Sequence, residues 1–383
     1  MEMSPRDRHL FGPGPKRILA FDGGGIRGML SIAFLERLEA LIEEIEGKPV
    51  RLCEWFDLIG GTSTGSIIAT AAALGYWARD IKAFYATHGA AIFRKRWLWL
   101  AGLQSQFQAE NLRRVLVSIV GDRTLGSEDV QTGLCIVTKR MDTGSSWILM
   151  NNPKSKYWET PGDHSFIGNK HYSLANLVRA SGAAPVFFEP ELIEIAAGME
   201  PGLFVDGGVS PHNNPALYML LAASSPKLEL NWPLGPENLL IVSIGTGSSR
   251  HTISEKQLPW LKSAGIAIHA LQGQMSDAQQ LVVGLMSWLG ESPTQVKFNE
   301  ELGDLSEAGR PFGRPLFRFL RYDVQLEQRW LRDELGRTFS EAEVMRLREL
   351  AAVENLGILH ELGARAASKQ MRREHLQRRG NDA

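Results

Sequence analysis

Short runs dominated by apolar residues recur along the first 250 positions of the chain. They lie at 17–21, 56–59, 134–138 and 239–244. Between these runs, apolar residues return every three or four positions, which is the spacing of an amphipathic helix. The clearest such series is Leu30, Phe34, Leu38, Leu41 and Ile45. Continuous apolar strands that alternate with helices are typical of a sheet covered on both faces. The pattern predicts an α/β fold of three layers around a central, mostly parallel sheet.

Three strand-like runs end in glycine-rich turns that also carry polar residues. The turns are Asp22-Gly23-Gly24-Gly25-Ile26-Arg27-Gly28, Gly61-Thr62-Ser63-Thr64-Gly65 and Asp206-Gly207-Gly208. Glycine lets neighbouring backbone approach closely because it has no Cβ. A glycine-rich turn that opens a helix also presents free N–H groups, which suit an anion. These turns are therefore the places where we expect chemistry.

The second turn has the pattern of a nucleophile elbow. Ser63 lies between Gly61 and Gly65, after a short apolar strand and before an apolar helix. In this context a serine sits on a sharp strand-to-helix turn, and its hydroxyl points into a cleft. We interpret Ser63 as a nucleophile; the alternative is a structural Gly/Ser turn.

The first turn also satisfies the G-x-G-x-x-G pattern of dinucleotide-binding proteins. That fold requires a second strand ending in an acidic residue about twenty positions further on. Here the corresponding region, 43–46, is still part of the predicted helix, and the next strand leads to Ser63. The pattern therefore disfavours dinucleotide binding.

Composition narrows the class of protein. The chain has 383 residues, with 42 Lys and Arg against 43 Asp and Glu, so no bulk positive charge points to a nucleic acid polymer as partner. Cys53 and Cys135 lie in apolar surroundings and are expected to be buried free thiols in a reducing compartment. No uncharged apolar run approaches the roughly 20 residues of a spanning helix. We expect a cytoplasmic protein.

The order of the three turns resembles that of the patatin-like phospholipase family. Further matching text comes from 179–185 (Arg-Ala-Ser-Gly-Ala-Ala-Pro) and from Asn213-Asn214-Pro215. The resemblance covers roughly 16–247 and implies a patatin-like fold. It divides the chain into a flexible N-terminus (1–15), a catalytic domain (16–250) and a mainly helical C-terminal region (251–383) that packs on or regulates the catalytic domain.

The resemblance implies a phospholipase A-type acyl hydrolase that acts through an acyl-enzyme. Ser63 would be the nucleophile and Asp206 the base of a dyad without histidine. The oxyanion would be held by the backbone N–H groups of Gly23, Gly24 and Gly25, with help from the charge of Arg27. Asp22 is interpreted as a cap on the glycine loop rather than a catalyst. No metal or organic cofactor is implied.

Two other interpretations stay open from the sequence. One is an α/β-hydrolase with a Ser-Asp-His triad, for which His212, His251 and His269 follow Asp206 in the required order. The other is a lipid-binding protein that keeps the fold without turnover. The general layout also resembles bacterial phospholipase effectors that a cyclic oligonucleotide activates, and it leaves self-association into a homo-oligomer open.

A lipid substrate requires contact with a membrane surface. The segment 94–100 joins three cations to Trp97 and Trp99, a composition that suits a lid or a peripheral contact with an anionic membrane surface. The alternative is a loop that buries both tryptophans. A second apolar segment, 281–289, carries no charge and is expected to pack as a core helix.

Overall fold

The computed structural model describes residues 3–93, 105–249, 263–294, 296–299, 301–305 and 312–377. Its strands are β1 (Lys16–Phe21), β2 (Leu58–Thr62), β3 (Gly133–Arg140), β4 (Ser146–Met150), β5 (Glu191–Ile193), β6 (Gly202–Asp206), β7 (Leu239–Ile244), β8 (Lys297–Asn299), β9 (Gly303–Asp304) and β10 (Arg318–Tyr322). Its α-helices are α1 (Pro5–Phe11), α2 (Gly28–Glu46), α3 (Leu52–Trp55), α4 (Thr64–Ala73), α5 (Ala78–Ile92), α6 (Ala109–Val120), α7 (Leu174–Ser181), α8 (Ala216–Ser224), α9 (Ser263–Leu289), α10 (Gln328–Leu335), α11 (Glu341–Leu347), α12 (Leu356–Gln370) and α13 (Arg373–Leu376).

Eight of these strands form one sheet in the order β10-β7-β1-β2-β3-β6-β5, with β4 also paired to β3. The first five strands in that order run parallel, whereas β4 and β6 run antiparallel to β3 and β5 runs antiparallel to β6. The sheet packs between helices on both faces, so the predicted α/β fold in three layers is confirmed.

The register of β3 explains how distant motifs meet. Thr138 pairs with Trp147 of β4 and with Asp206 of β6, so β4 and β6 lie on opposite edges of β3. Strand β2 pairs with β3 only as far as Val137, on the edge that β6 then takes over. Along this edge of β3, the end of β6 therefore lies next to the end of β2. This places Asp206 beside the turn that begins at Thr62.

Alternating residues of the central strands supply two separate cores. Leu19 and Phe21 of β1 pack with helices α2, α4, α5 and α12 on one face. Ile18 and Ala20, one position out of phase, pack with α8 and α9 on the other face. Because successive strand side chains point to opposite faces, a run that is apolar at every position is required here.

The N-terminal residues depart from the expectation of a flexible segment over 1–15. Residues 5–11 form α1, whose first turn is capped by the Ser4 hydroxyl, which accepts the Asp7 N–H at 3.1 Å. Leu10 is fully buried, and its carbonyl accepts the indole N–H of Trp232 at 2.8 Å. A capped turn and one buried side chain thus hold this segment to the domain.

The C-terminal region is mainly helical, as expected, and it also contributes a strand to the sheet. Strand β10 pairs in parallel with β7, after α9 has crossed the sheet between them. The sequence pattern did not predict β10, because Arg318 and Arg321 interrupt its apolar residues. Helix α12 packs along α2, so the C-terminal region lies against the helix that follows the glycine loop.

Two segments were of interest as membrane contacts. Residues 94–100, with Trp97 and Trp99, lie outside the described residues. The segment 281–289 belongs to α9, where Met286 is fully buried whereas Leu281 is 53% exposed, so this segment is half core and half surface. None of the helices that the structure describes is long and apolar enough to cross a membrane.

Candidate active site

Ser63 occupies a strained turn between β2 and α4. Its backbone has φ 55° and ψ −125°, a conformation that residues with a Cβ rarely adopt. The flanking glycines allow the turn to close. A Cβ on Gly61 would lie 2.1 Å from the Gly65 carbonyl, and a Cβ on Gly65 would lie 2.5 Å from the Phe21 carbonyl oxygen. Close backbone approach, as the elbow pattern requires, therefore accounts for both glycines.

The side chains of Ser63 and Asp206 are in direct contact. The Ser63 hydroxyl donates to Asp206 Oδ2 at 2.5 Å, and Asp206 Oδ1 accepts the Gly208 N–H at 2.7 Å. Burial raises the pKa of Asp206 to about 6, against the lowering effect of these two hydrogen bonds. The carboxylate is therefore a stronger base than an exposed aspartate, and its geometry suits proton transfer from the serine.

Ser181 fixes the backbone of the elbow, a contact that the sequence did not reveal. Its hydroxyl accepts the Ser63 N–H at 2.8 Å and donates to the Val137 carbonyl at 2.6 Å. The signal was present in the 179–185 motif, where Ser181 ends α7 just before Gly182. Because the side chain is fully buried and uses its donor and an acceptor, it holds the strained turn in one position.

The glycine loop reaches the same place from the end of β1. The Gly23 N–H donates to the Asn213 carbonyl at 3.1 Å, so this amide is already occupied and does not match the expected role of an oxyanion donor. The amides of Gly24 and Gly25 donate to no other described residue. Gly25 has φ 58°, and a Cβ there would lie 2.2 Å from the Leu350 carbonyl oxygen. Gly24 and Gly25 therefore present the loop's available N–H groups.

Two charged residues of the glycine loop, Asp22 and Arg27, differ in what they contact. The carboxylate of Asp22 is fully buried and forms two hydrogen bonds with Arg321, at 3.0 and 2.6 Å, rather than capping the loop amides. Arg27 is half-buried and its Nε–H makes only a long contact, 3.5 Å, with the Gly24 carbonyl. Burial lowers the pKa of Arg27 to about 10, with the Asp323 charge opposing, so it stays positive at neutral pH.

The histidines do not complete a triad within the described part of the chain. The backbone carbonyl of His212 accepts the Thr62 hydroxyl at 2.7 Å, and its ring packs edge-on to Tyr218. Nδ1 of His269 is buried without a hydrogen-bond partner among the described residues. His251 lies outside them. Neither described ring forms a hydrogen bond with Ser63 or Asp206, which favours the dyad over the triad.

The geometry agrees with the comparison to known families. The profile of the patatin-like phospholipase family matches residues 19–220, more than half of the chain, and the match includes all three glycine turns. The chain belongs to the patatin-like phospholipase family.

Three curated relatives show which proteins the chain resembles. It is 29% identical to patatin-like protein 1 of Arabidopsis thaliana, over 61% of this chain and 59% of that protein. It is 34% identical to a cUMP-AMP-activated phospholipase of Escherichia coli, over 54% and 59%. It is 26% identical to a cGAMP-activated phospholipase of Vibrio cholerae, over 63% and 67%. The chain thus spans about three fifths to two thirds of the length of these relatives.

Proposed function

We propose that the protein is a lipid acyl hydrolase of the phospholipase A type, which cleaves carboxylic ester bonds of membrane phospholipids through a Ser63–Asp206 dyad. The observation that carries the proposal is the 2.5 Å hydrogen bond from the Ser63 hydroxyl to Asp206 Oδ2. It occurs on a strained elbow in a chain of the patatin-like phospholipase family. A non-catalytic lipid-binding protein has no use for a strained serine held against a buried carboxylate.

The acylation step follows from this contact. Asp206 Oδ2 takes the hydroxyl proton as Ser63 Oγ attacks the ester carbonyl carbon, and a tetrahedral intermediate forms. Its oxyanion is stabilised by the N–H groups of Gly24 and Gly25, with Arg27 adding positive charge to the loop. The intermediate then expels the lysolipid alkoxide, which takes the proton from Asp206. An acyl ester remains on Ser63 until water hydrolyses it.

Regulation is a second part of the proposal and is supported by the names of two relatives. These relatives are activated by cUMP-AMP and by cGAMP, respectively. We infer that a cyclic dinucleotide also raises the activity of this protein. Because the two relatives respond to different compounds, ester hydrolysis is measured with cUMP-AMP and with cGAMP under the same conditions.

We further propose that the protein binds the membrane surface peripherally to reach its substrate.

The dyad is tested with purified protein and a chromogenic short-chain ester, followed by phospholipid vesicles and mass spectrometry of released fatty acid. We expect Ser63→Ala and Asp206→Asn each to lower turnover by about 10³-fold or more. His212→Ala and His269→Ala are the matched controls and are expected to keep most activity. A folded histidine variant without activity would establish a triad instead, and unchanged turnover in Ser63→Ala would remove the proposed function.

A further inference from the structure

The peptide unit that joins Gly23 to Gly24 is held by a side chain from a distant part of the chain. The hydroxyl of Thr246 donates to the Gly23 carbonyl at 2.7 Å, and Thr246 is 2% exposed. The same peptide unit adjoins the nucleophile, because a Cβ built on Gly23 would lie 3.2 Å from Ser63 Cβ. Thr246 has no described hydrogen bond with Ser63 or Asp206, so its effect on the reaction must pass through the glycine loop.

The contact with Thr246 explains why position 24 is a glycine. Gly24 has φ 171°, which is outside the positive range that favours glycine. A Cβ built on Gly24, however, would lie 2.1 Å from Thr246 Oγ1 and 2.5 Å from Thr246 Cβ. The close packing of the threonine side chain against the loop backbone therefore accounts for the glycine.

The backbone that carries Thr246 is itself held on both sides. The Gly245 N–H donates to the Tyr322 carbonyl at 2.9 Å, and the Gly247 N–H donates to Asp323 Oδ1 at 2.9 Å. A Cβ on Gly245 would lie 2.2 Å from Asp323 Oδ1, so this glycine leaves room for the carboxylate. The threonine hydroxyl is therefore presented from a backbone that is fixed at both neighbours.

We propose that Thr246 is a positioning residue that aims the Gly24 N–H at the oxyanion. The inference rests on the proposed function, which uses this N–H as an oxyanion donor. In a trans peptide unit the C=O and N–H bonds point in opposite directions, so a bond that fixes the Gly23 carbonyl also fixes the Gly24 N–H. The unit has a glycine on each side and rotates more easily than others. A rotated unit would turn a carbonyl oxygen toward the developing negative charge.

The variant Thr246→Val tests this role, because valine has the shape of threonine without the hydroxyl. It leaves the Gly23 carbonyl buried without its donor, which favours rotation of the peptide unit. With p-nitrophenyl butyrate we expect kcat to fall about tenfold or more and KM to change less than about twofold. Thr246→Ser restores the hydroxyl and should recover most of kcat. Thr246→Ala lacks the hydroxyl without adding bulk, and it serves as the second variant if valine disturbs folding.

The matched control is Thr132→Val. Thr132 is fully buried, and its hydroxyl donates to the Phe56 carbonyl at 2.6 Å. It precedes β3, whereas Ser63 follows the end of β2, so the two residues lie at opposite ends of this parallel strand pair. The control loses the same kind of hydrogen bond away from the loop. We therefore expect a similar decrease in the free energy of unfolding and an unchanged kcat.

A pair of inhibitors gives a readout that a purely structural role would not move. A trifluoromethyl ketone with a short alkyl chain bonds through its carbonyl carbon to Ser63 Oγ, the serine proton passes to Asp206, and the ketone oxygen becomes an oxyanion. The ether analogue of the ester forms neither the bond nor the charge. In Thr246→Val we expect Ki of the ketone to rise by the factor by which kcat/KM falls, whereas Ki of the ether stays within about twofold of the wild-type value.

Four results would overturn the assignment. They are a folded Thr246→Val or Thr246→Ala protein with kcat within about twofold of wild type, a serine variant as slow as the valine variant, a control that loses as much kcat, and equal changes in both Ki values. If Ser63→Ala loses no activity, the proposed function itself has failed, and that outcome is distinct.

Discussion

Replacing Arg321 with methionine would remove the side chain that binds Asp22, the first residue of the glycine loop. The Arg321 side chain is almost fully buried, and its guanidinium donates two hydrogen bonds to Asp22, one to Asp323 Oδ2 at 2.8 Å and one to the Ser243 hydroxyl at 2.9 Å. Methionine matches the unbranched stem of arginine and lacks the charge. The variant therefore isolates the loss of these hydrogen bonds from a loss of packing.

The expected cost is a large part of the stability of a domain. Asp22 is fully buried, and without Arg321 its charge has no partner of opposite sign in direct contact among the residues that the structure describes. Removing one member of a buried ion pair costs about 3–5 kcal/mol, against a total free energy of unfolding of about 5–15 kcal/mol. Because Asp22 immediately precedes Gly23, the same change should displace the oxyanion loop and lower kcat more than it raises KM.

The pH dependence of the loss has a defined sign. Burial raises the pKa of Asp22 to about 6, and the Arg321 charge is the largest opposing effect. Without Arg321 the pKa rises further. An acid whose pKa is raised in the folded state contributes stability at low pH that is lost as the pH rises through that pKa. The variant should therefore be less destabilised at pH 5.5 than at pH 8, and adding Asp22→Asn should recover part of the loss at pH 8.

Denaturant unfolding at pH 5.5 and pH 8 measures the loss of stability and its pH dependence. Ester hydrolysis at 25 °C measures kcat and KM. Arg329→Met is the matched control, since that side chain is 89% exposed and makes one surface ion pair; its effect should stay within about 1 kcal/mol. The reasoning is wrong if the free energy of unfolding of Arg321→Met lies within about 1 kcal/mol of the wild-type value at pH 8 and the variant keeps full activity. The hydrogen bonds of Arg321 would then not position the glycine loop.

Two further predictions concern the base and the elbow. Asp206 acts as a base only when ionised, and burial raises its pKa to about 6, so kcat/KM on a soluble ester should fall as the pH drops through about 6, and a profile flat to pH 4.5 would contradict this. Gly65→Ala places a Cβ 2.5 Å from the Phe21 carbonyl oxygen and should lower the free energy of unfolding by about 1–3 kcal/mol or prevent folding. Gly273→Ala, in open space on α9, is the control and should be neutral or slightly stabilising in the same unfolding assay.

The sequence predicted the elements that local pattern controls. Continuous apolar runs gave the central strands, because a parallel strand covered on both faces needs an apolar residue at every position. The glycine turns stood out because close backbone approach excludes residues with a Cβ. A Cβ on Gly61, for example, would lie 2.1 Å from the Gly65 carbonyl. These features depend on neighbours in the chain, so they can be recognised without knowing the fold.

Contacts between distant residues were beyond that kind of evidence. Ser181 and Asn213 were noticed as parts of motifs, but nothing local shows that Ser181 accepts the Ser63 N–H or that the Asn213 backbone carbonyl accepts the Gly23 N–H. Strand β10 was missed for a related reason. With Arg321 in it, the segment has the pattern of a polar stretch. Only the fold shows that the charge of Arg321 is neutralised by Asp22, 299 positions earlier.

The glycine loop is held largely by residues beyond the part of the chain that matches the family profile, which ends at residue 220. Thr246 donates its hydroxyl to the Gly23 carbonyl at 2.7 Å, and the Leu350 carbonyl accepts the Ile26 N–H at 2.8 Å. Arg321 pairs with Asp22 from the same region. Since Gly24 and Gly25 lie between these anchors, a shift of the C-terminal region by even an ångström would move the amides proposed to hold the oxyanion. The residues around Leu350 and Arg321 are therefore where binding of an activator elsewhere on the protein would most directly alter turnover.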